Sequence, residues 1–405
     1  MSETTSKLQL NKFKNFLALE RNVIHLLALV IIIGVGEKMW ERFLPKYIEG
    51  IGGSILVIGG LGFFQNILNA FWSLPGGYIA DTLGNKKAFF IFNILAICGY
   101  IIAIVFTNWF AVVVGMVFFS AWSSVSLPAS MSLIVKSVGT KKTAMGISMH
   151  SIVRRIPMML GPIIGGVLIT TFGIVIGIKI SFFISIVLCV VGIFFQQQFS
   201  NDKKEQTESI SPWQLWKKFD ARIKNLLISD ILIRFCEQIP YVFVVLWCLD
   251  TVKISPVEFG ILTSIEMLTS ALIYIPVASF SDTLERKPFV TITFIFFTIF
   301  PTVLYFSNSF FMLAIAFFIR GLKEFGEPTR KAMIMDFSVA GAEARSFGLY
   351  YFIRDTIVAF AAFVGGWLWQ FNPTINLFSA FVFGIIGTVY FLMFGKGTEK
   401  VLAIK

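Results

Sequence analysis

Long apolar stretches constrain this chain more than any other feature of its sequence. Hydrophobic residues make up 56% of its 405 residues and charged residues only 14%, whereas an average soluble domain carries about 25% charged residues. Stretches of ~20 apolar residues, each long enough to cross the ~30 Å hydrocarbon core of a bilayer, recur along the whole chain. We number the predicted spans as segments 1 to 12, which lie near residues 23–48, 55–80, 88–106, 110–135, 144–171, 173–197, 224–249, 256–280, 289–307, 309–337, 346–371 and 374–395. The expected fold class is an all-α polytopic membrane protein.

The second half of the chain repeats landmarks of the first half at an offset of 200 or 201 residues. The repeated landmarks are Asp81-Thr82-Leu83 with Asp282-Thr283-Leu284, Pro75 with Pro276, Pro128 with Pro328, Arg154 with Arg354, and Gly165-Gly166 with Gly365-Gly366. Parallel repeats in a membrane chain are typical of two bundles that rock against each other around a site at their interface. We therefore predict two pseudo-symmetric six-helix bundles, residues 23–198 and 224–396.

The polar segments complete the predicted domain organisation. Residues 199–223 are predicted to form a cytoplasmic linker, with a short surface helix near Pro212–Phe219. Residues 1–22 and 397–405 are predicted to be cytoplasmic ends. The first apolar run is long enough to stay in the membrane as an anchor, so we expect no cleavable signal peptide.

The net charge of +11 comes largely from lysines and arginines in loops on one side of the predicted spans. The loops on the opposite side are short and hold few basic residues beyond Lys179 and Lys253. The positive-inside rule places the basic loops in the cytoplasm. Both termini are then cytoplasmic, which agrees with an even number of spans, and the expected location is the inner membrane of a bacterium. Basic charge with this distribution does not indicate nucleic acid binding.

The loop between segments 2 and 3 carries a motif that resembles a known signature. The run Gly77-Tyr78-Ile79-Ala80-Asp81-Thr82-Leu83-Gly84-Asn85-Lys86-Lys87 is similar to Gly-x-x-x-Asp-Arg-x-Gly-Arg-Lys/Arg of the major facilitator superfamily. Thr82 and Asn85 stand where that family commonly has arginine, and a degenerate copy lies at Ser281–Lys287. Together with the twelve segments, the linker and the repeat, the resemblance covers the whole chain and implies a twelve-helix transporter.

In that family the signature closes the cytoplasmic side against helix ends of the other half. The resemblance therefore implies a cytoplasmic gate formed by Gly77, Asp81, Gly84, Lys86 and Lys87. A carboxylate is favoured near a helix N-terminus by the dipole and the free N–H groups. The alternative is an ordinary basic loop with a tight turn at Gly84.

Segment 5 contains Gly161-Pro162-Ile163-Ile164-Gly165-Gly166, which resembles the Gly-Pro-x-x-Gly-Gly motif of the family's drug and metabolite antiporters. Small residues let helices approach closely, and Pro162 favours a kink. The resemblance implies that Gly161, Pro162, Gly165 and Gly166 press against segment 8 of the other half, and it favours export. Ordinary helix packing is the alternative.

One departure from the antiporter pattern limits what the resemblance transfers. The arginine expected in segment 4 is absent near Ser120, and an Arg320-Gly321 pair stands in the second half instead. The coupling residues of those exporters therefore do not carry over one by one.

Segment 10 carries the densest group of charges within a predicted span. At about 100° per residue, Arg320, Glu324, Glu327 and Lys331 are predicted to form one stripe, flanked by Lys323 and Arg330. Pro328 is predicted to leave the carbonyl of Glu324 without its helical donor. Ionisable residues within spans are costly when unpaired and default to the bundle interior and to function.

Other segments repeat this pattern. In segment 7, Asp230, Arg234, Glu237 and Tyr241 share one face; segment 1 has Glu37 and Glu41 one turn apart, with Arg42 close by; segment 11 has Arg354-Asp355. Segments 1, 4, 7 and 10 line the central cavity of the family fold, and segment 4 offers hydroxyls at Ser120, Ser123, Ser124 and Ser126. The predicted substrate cavity is lined by Arg42, Asp230, Arg234, Glu237, Tyr241, Arg320, Lys323, Arg354 and Asp355.

Several glutamates are candidates for exchanging a proton. A carboxylate in a dry cavity favours its neutral form and can bind and release a proton. The pool that we expect to contain the coupling group is Glu37, Glu41, Glu266, Glu324 and Glu327. The alternative is that Glu324 and Glu327 pair with basic residues and hold helices together.

The expected function is secondary active transport of a small organic solute by alternating access. Proton-coupled efflux of a drug, a metabolite or a siderophore is the first expectation, and proton-coupled uptake of a small nutrient, neutral or anionic, is the alternative. The arginines suit carboxylate or phosphate, whereas the glutamates suit a cationic drug. A membrane enzyme is disfavoured because the two histidines of this sequence, His25 and His150, are far apart and no large loop exists. A transport-dead receptor is disfavoured by the costly charges. The chain lacks a Walker motif, and we expect no cofactor, no metal site and a monomer whose partners are substrate, protons and lipid.

Overall fold

The computed structural model describes residues 21–83, 85–120, 122, 150, 152–198, 212–281, 285–339 and 343–397. These residues fold into helices whose bounds follow the predicted apolar segments. The helices are α1 Arg21–Glu41, α2 Leu44–Gly50, α3 Ile55–Leu83, α4 Asn85–Val105, α5 Trp109–Ser120, α6 Arg155–Phe172, α7 Ile174–Gln196, α8 Pro212–Lys218, α9 Ala221–Tyr241, α10 Val244–Leu246, α11 Pro256–Ser281, α12 Arg286–Phe306, α13 Phe310–Leu322, α14 Glu327–Asp336, α15 Glu343–Phe371 and α16 Pro373–Phe394.

The all-helical polytopic fold predicted from the sequence is confirmed. Among the described residues, eight helices are long and apolar enough to cross a membrane, and a bent pair formed by Ala221–Tyr241 and Val244–Thr251 makes a ninth. Shorter apolar helices occupy Ile55–Leu68, Trp109–Ser120 and Phe310–Leu322. Each of the twelve predicted segments therefore contains an apolar helix. The surface helix expected in the linker is α8, which begins at Pro212.

The chain divides into two compact units. Unit 1 contains Met1–Tyr47 and Leu68–Thr207, and unit 2 contains Ile48–Ile67 and Glu208–Lys405. In unit 1, α1 packs against α6 and α7, and α4 packs against α7. Rings from three of these helices and α5 meet at Trp40, Tyr100, Phe119 and Phe182, with the Tyr100 and Phe119 centroids 5.3 Å apart. An aromatic core therefore holds unit 1 together.

In unit 2, α9 packs against α15 and α16, α12 against α13 and α16, and α11 against α13. A buried apolar cluster joins α8 to the spans through Leu215 and Phe219, which pack with Ile223, Phe294 and Tyr350. Asp220 begins α9, where its side chain accepts hydrogen bonds from the N–H groups of Arg222 and Ile223. That capping interaction satisfies donors which the first helical turn leaves free.

Segments 1 and 7 break at equivalent positions of the repeat. In segment 1 the Phe43 N–H bonds to the Trp40 carbonyl at 3.0 Å, and in segment 7 the Phe243 N–H bonds to the Pro240 carbonyl at 2.9 Å. The helix resumes as α2 after the first break and as α10 after the second. Beyond α10, Trp247–Thr251 form a π-helical turn, and the two parts of segment 7 meet at 43°. The offset of 200 found in the sequence thus marks a shared break in the backbone.

The paired glycines also make equivalent contacts in the two halves. A Cβ added to Gly165 would collide with the Met39 carbonyl of α1, and one added to Gly365 would collide with the Ile239 carbonyl of α9. Gly161 likewise lies against Lys38. Gly161 and Gly165 thus contact segment 1 in the same unit, and the packing of the segment-5 motif against segment 8 stays a prediction. The lack of a side chain at these two glycines brings α6 onto α1 within unit 1.

We expect Gly165→Ala to destabilise unit 1 by about 1–3 kcal/mol, because the new methyl group overpacks a contact made by backbone atoms. Gly60→Ala is the matched control, since nothing lies within 4 Å of a Cβ at that position and alanine is the better helix former. Thermal unfolding of the purified protein in detergent measures both variants. Equal Tm values for the two variants would contradict the predicted collision.

Candidate functional site

A continuous chain of ion pairs runs through unit 2 and links four of its segments. It connects carboxylates and cations on segment 7, segment 8, segment 10 and segment 11. Its members are Asp230, Arg234, Glu237, Glu266, Arg320, Lys323, Glu327, Arg330, Lys331, Arg354 and Asp355. All of the cavity residues predicted in the second half belong to this chain or contact it. This chain of ion pairs is the candidate functional site.

At one end of the chain, Glu266 of α11 faces two cations of segment 10. Its carboxylate lies 3.3 Å from Arg320 Nε and 3.5 Å from Lys323 Nζ, and its side chain is fully buried. The Arg320 guanidinium also lies over the rings of Tyr241, Phe300 and Phe317, with centroids 5.0–5.6 Å away. Cation–π contact is favourable in such a desolvated setting. Arg320 is thus held by aromatic rings as well as by the acid.

In the middle of the chain, Glu237 bridges segment 7 to segment 10. It accepts hydrogen bonds from Lys323 Nζ at 2.7 Å and from Arg234 Nη1 at 2.6 Å. Arg234 continues the chain, because it lies 3.4 Å from Glu327 and 3.8 Å from Asp230. Charge-assisted hydrogen bonds of this length are the stronger kind. Glu237 therefore joins two cations that belong to different segments.

At the other end, Arg330 is buried between two acids. It contacts Asp230 and donates from Nη2 and Nε to Glu327 at 2.6 and 3.0 Å. Asp230 also accepts from the Tyr350 hydroxyl at 3.1 Å and from Arg354 at 3.4 Å. The side chains of Arg330 and Asp230 are each only 1% exposed. Two carboxylates and two arginines thus neutralise one another out of water.

Segment 11 contributes one nearly buried arginine and one partly exposed acid to the chain of ion pairs. The Arg354 guanidinium lies 4.1 Å from the centroid of the Tyr351 ring and pairs with Asp355 at 2.7 Å. The Asp355 side chain is 41% exposed. Of the predicted pair, Arg354 therefore belongs to the buried part of the site through Asp230, and Asp355 forms its outer edge.

The single stripe predicted for segment 10 is wrong in its second half. The helix breaks at residues 323–326, between α13 and α14, and the Glu324 carbonyl accepts from the Glu327 N–H at 3.3 Å. The Glu324 carbonyl thus has a donor after all, because the chain forms a tighter turn at this point. After the break Arg330 is buried, whereas the Lys331 side chain is 43% exposed. The angle between side chains that holds along a continuous helix does not hold across a break. The burial of Arg330 and Lys331 is therefore the reverse of the prediction.

The segment-1 acids form a separate cluster in unit 1. Lys38 pairs with Glu37 at 2.9 Å and also with Glu41. Arg42 follows in the turn after α1 and is partly buried. Of the segment-4 hydroxyls, Ser120 is buried, and Ser123, Ser124 and Ser126 lie outside the described residues. In the segment-1 cluster, the two acids Glu37 and Glu41 thus share Lys38.

The predicted gate residues are described only in part. Gly77 and Asp81 lie within α3, Gly84 lies outside the described residues, and Lys87 is exposed. Lys86 Nζ donates to the Gln197 carbonyl at 2.6 Å, at the end of α7 in the same unit. Its repeat equivalent Lys287 donates to the Leu392 carbonyl at 3.0 Å. Both lysines satisfy carbonyls near a helix C-terminus, where positive charge is favoured.

Three charged residues of these two clusters lie outside the predicted site, namely Lys38, Arg330 and Lys331. Lys38 was a neighbour of Glu37 and Glu41, and Arg330 was a flank of the segment-10 stripe. The spacing contained a signal for both, because Arg330 follows Glu327 by three residues and Lys38 precedes Glu41 by three. Side chains three or four apart on a helix are neighbours, so each pair was readable without a structure.

Comparison with known proteins adds independent evidence. A family model described as Major Facilitator Superfamily matches residues 26–224 and 226–402. No curated protein sequence matches the chain. The fold is similar to a crystal structure of a mutant of the nucleoside transporter NupG, with TM-score 0.80 and 15% identity, covering 93% of this chain and 100% of that one.

Two transporters described as POT show the same fold. A POT family transporter in complex with 5-aminolevulinic acid aligns with TM-score 0.77 and 12% identity, over 92% of this chain and 95% of that one. The peptide transporter POT in complex with sulfate aligns with TM-score 0.73 and 14% identity, over 93% and 94% of the two chains. At these identities the similarity establishes the fold.

Proposed function

This chain belongs to the major facilitator superfamily and is an integral, multi-pass membrane protein, and from that premise we propose that it is a secondary active transporter of a small organic solute driven by protons. The observation that carries the proposal is the buried ion-pair chain in unit 2. Unpaired charges at such depth are costly, and buried ionisable groups within spans mark ion and substrate pathways. A proposed inner-membrane location with both termini cytoplasmic follows from the basic loops.

The proposed mechanism is alternating access, in which the two six-helix bundles rock around a central site. Acids of the pool Glu37, Glu41, Glu266, Glu324 and Glu327 supply the proton-binding group. When one acid becomes neutral, its cation pairs instead with a neighbouring acid of the same cluster. The breaks in segments 7 and 10 lie next to these pairs, at 242–243 and 323–326, which supports movement of the helices at those points.

Export is the first proposed direction, because the segment-5 motif resembles that of antiporters. Proton-coupled uptake of a nutrient is the second candidate, and two observations favour it. The glycines Gly161 and Gly165 pack inside unit 1, so ordinary helix packing accounts for them without any role in export. The similar structures include nucleoside and peptide transporters. The test solutes are therefore nucleosides and dipeptides for uptake and cationic dyes, which represent cationic drugs, for export.

Vesicle transport tests both the function and its direction. We expect everted membrane vesicles that express the protein to accumulate one of these solutes when a pH gradient, acidic inside, is imposed. Vesicles without the protein, and vesicles treated with a protonophore, are the controls. Accumulation only by right-side-out vesicles with an acidic exterior would make the protein an importer. If the protonophore leaves solute accumulation unchanged in both everted and right-side-out vesicles, proton coupling is contradicted.

A further inference from the structure

The short helix α8 lies at one end of unit 2, where several membrane-crossing helices begin or end. Its side chains Leu215 and Phe219 are buried in the apolar cluster at that end. In the same cluster, Val290 lies near the start of α12, Phe337 directly follows α14, and Phe391 lies near the end of α16. Because the ends of a span lie at the membrane surface, α8 is fixed at the boundary between lipid and water.

The opposite face of α8 carries a tryptophan and two lysines. Trp213 is 65% exposed, and Lys217 Nζ lies 5.7 Å from the centroid of its ring. Residues 213 and 217 are one helical turn apart, so their side chains are neighbours on the helix. Lys218 follows and is exposed as well. Neither lysine has an ion-pair partner within the part of the chain that the structure describes.

The surroundings of this face are basic. Residues 212–224 contain four basic residues and one acid, Asp220. That acid lies 2.7 Å from Arg222 and accepts hydrogen bonds from the first turn of α9, so its charge is already used by α9. Lys224 Nζ lies 5.4 Å from the centroid of Trp216. The surface thus combines ammonium groups with indole rings and favours a negatively charged partner.

Tryptophan and lysine together suit the headgroup region of a bilayer. Indole rings are enriched where membrane and water meet, because one part of the ring is apolar and the N–H is polar. Lysine lays its stem along apolar surface and extends its ammonium group toward water and phosphate. Basic helices with an apolar side lie in the plane of the interface and are attracted by anionic lipids. A lipid partner also fits the place of α8 at the ends of the spans.

We propose that the face of α8 formed by Trp213, Lys217 and Lys218 is a docking surface for the headgroups of anionic phospholipids in the adjacent leaflet. Anionic oxygens of the headgroup accept hydrogen bonds from the two ammonium groups, and the Trp213 ring lies beside the glycerol and the upper acyl carbons. Since α9 begins three residues after α8 ends, lipid bound here positions the start of segment 7 relative to the membrane. The inference goes beyond the proposed transport function and does not depend on it.

Fluorescence quenching by brominated lipids tests the surface in the full chain reconstituted into phosphatidylcholine liposomes. The contribution of Trp213 is the difference in quenching between the wild type and Trp213→Phe. Brominated phosphatidylglycerol is expected to quench Trp213 more than brominated phosphatidylcholine at the same mole fraction. Equal quenching by the two lipids overturns the preference for anionic headgroups. Absence of Trp213 quenching by either lipid overturns the lipid contact itself and leaves water or an acidic protein on this face.

Lysine variants test whether charge causes the preference. The ratio of the binding constants of the two lipids is expected to fall by about fivefold for each lysine removed in Lys217→Gln and Lys218→Gln, the usual contribution of one lysine near an anionic surface. Lys253→Gln removes an exposed lysine outside α8 and should keep the wild-type ratio, as should the doubly substituted Lys217→Arg/Lys218→Arg.

The variants leave the buried face of α8 intact, so their Tm in phosphatidylcholine should equal that of the wild type. An unchanged lipid ratio in the doubly substituted Lys217→Gln/Lys218→Gln overturns the role of the two lysines. Because no solute or proton gradient is present, this result is separate from that of the vesicle transport experiment.

Discussion

Replacing Arg330 with methionine is expected to lower the free energy of unfolding by about 3–5 kcal/mol, the usual cost of removing one partner from a buried charge network. The substitution leaves the carboxylates of Asp230 and Glu327 without the cation between them. Asp230 then keeps Arg354 at 3.4 Å and Arg234 at 3.8 Å, and Glu327 keeps Arg234 at 3.4 Å and Lys331 at 3.5 Å. Arg330 also contacts the Tyr351 hydroxyl at 3.2 Å. Unfolding in detergent, followed by circular dichroism against SDS concentration, measures the loss.

The adjacent residue supplies a matched control for Arg330. Lys331→Met removes a charge of the same sign from a side chain that is 43% exposed and lies 3.5 Å from Glu327. Exposed pairs of this kind contribute about 0–1 kcal/mol. Adding Glu327→Gln to Arg330→Met should restore part of the lost stability, since it removes one stranded carboxylate. A larger loss for Lys331→Met than for Arg330→Met would mean that the segment-10 helix continues in phase through residues 323–326.

Glu237→Gln is expected to cost about 2–5 kcal/mol of stability, the range for truncating one member of a buried, hydrogen-bonded charge pair. The amide keeps the shape of the side chain but removes the charge that holds Lys323 and Arg234 at 2.7 and 2.6 Å. Solute accumulation in vesicles should fall as well, because segment 7 loses its direct link to segment 10. The variant is measured by thermal unfolding and by gradient-driven uptake.

The control for Glu237 is its repeat equivalent in unit 1. Glu37 lies 200 residues earlier and pairs with Lys38 at 2.9 Å, but Lys38 retains Glu41 when Glu37 is neutral. We therefore expect Glu37→Gln to reduce the Tm by less than half as much as Glu237→Gln. A larger loss for Glu37→Gln would show that the unit 1 cluster carries the greater electrostatic stabilisation.

The two halves share a scaffold and differ in chemistry. The helix breaks after Glu41 and Tyr241, the Gly165 and Gly365 contacts, and the lysines that satisfy the carbonyls of α7 and α16 all recur at the repeat offset. The charge recurs only in part: Glu37 corresponds to Glu237 and Arg154 to Arg354, but Gly34 and Ser120 stand where Arg234 and Arg320 lie in the second half. The duplicated features are backbone contacts, whereas the unequal features are ion pairs.

Much of the candidate site was predictable from individual residues. Charges that recur on one helical face, as Asp230, Arg234 and Glu237 do, must be buried together when the opposite face is apolar. Periodicity was sufficient there because α9 is continuous from Ala221 to Tyr241. It failed for Arg330 and Lys331 because the turn at 323–326 interrupts segment 10.

The sequence by itself determined that this chain lies in a membrane, that it is built from two repeated halves, and that acids and bases occupy the spans of the second half. Apolar length, repeat offset and helical period are local properties, and each is readable along the chain. Only the tertiary structure decided that the segment-5 glycines meet α1, that Arg330 is buried, and that Lys323 lies between Glu237 and Glu266. Those pairings depend on which helices pack together and where each one breaks, and long charged side chains bind whichever partner that packing brings within a few ångströms.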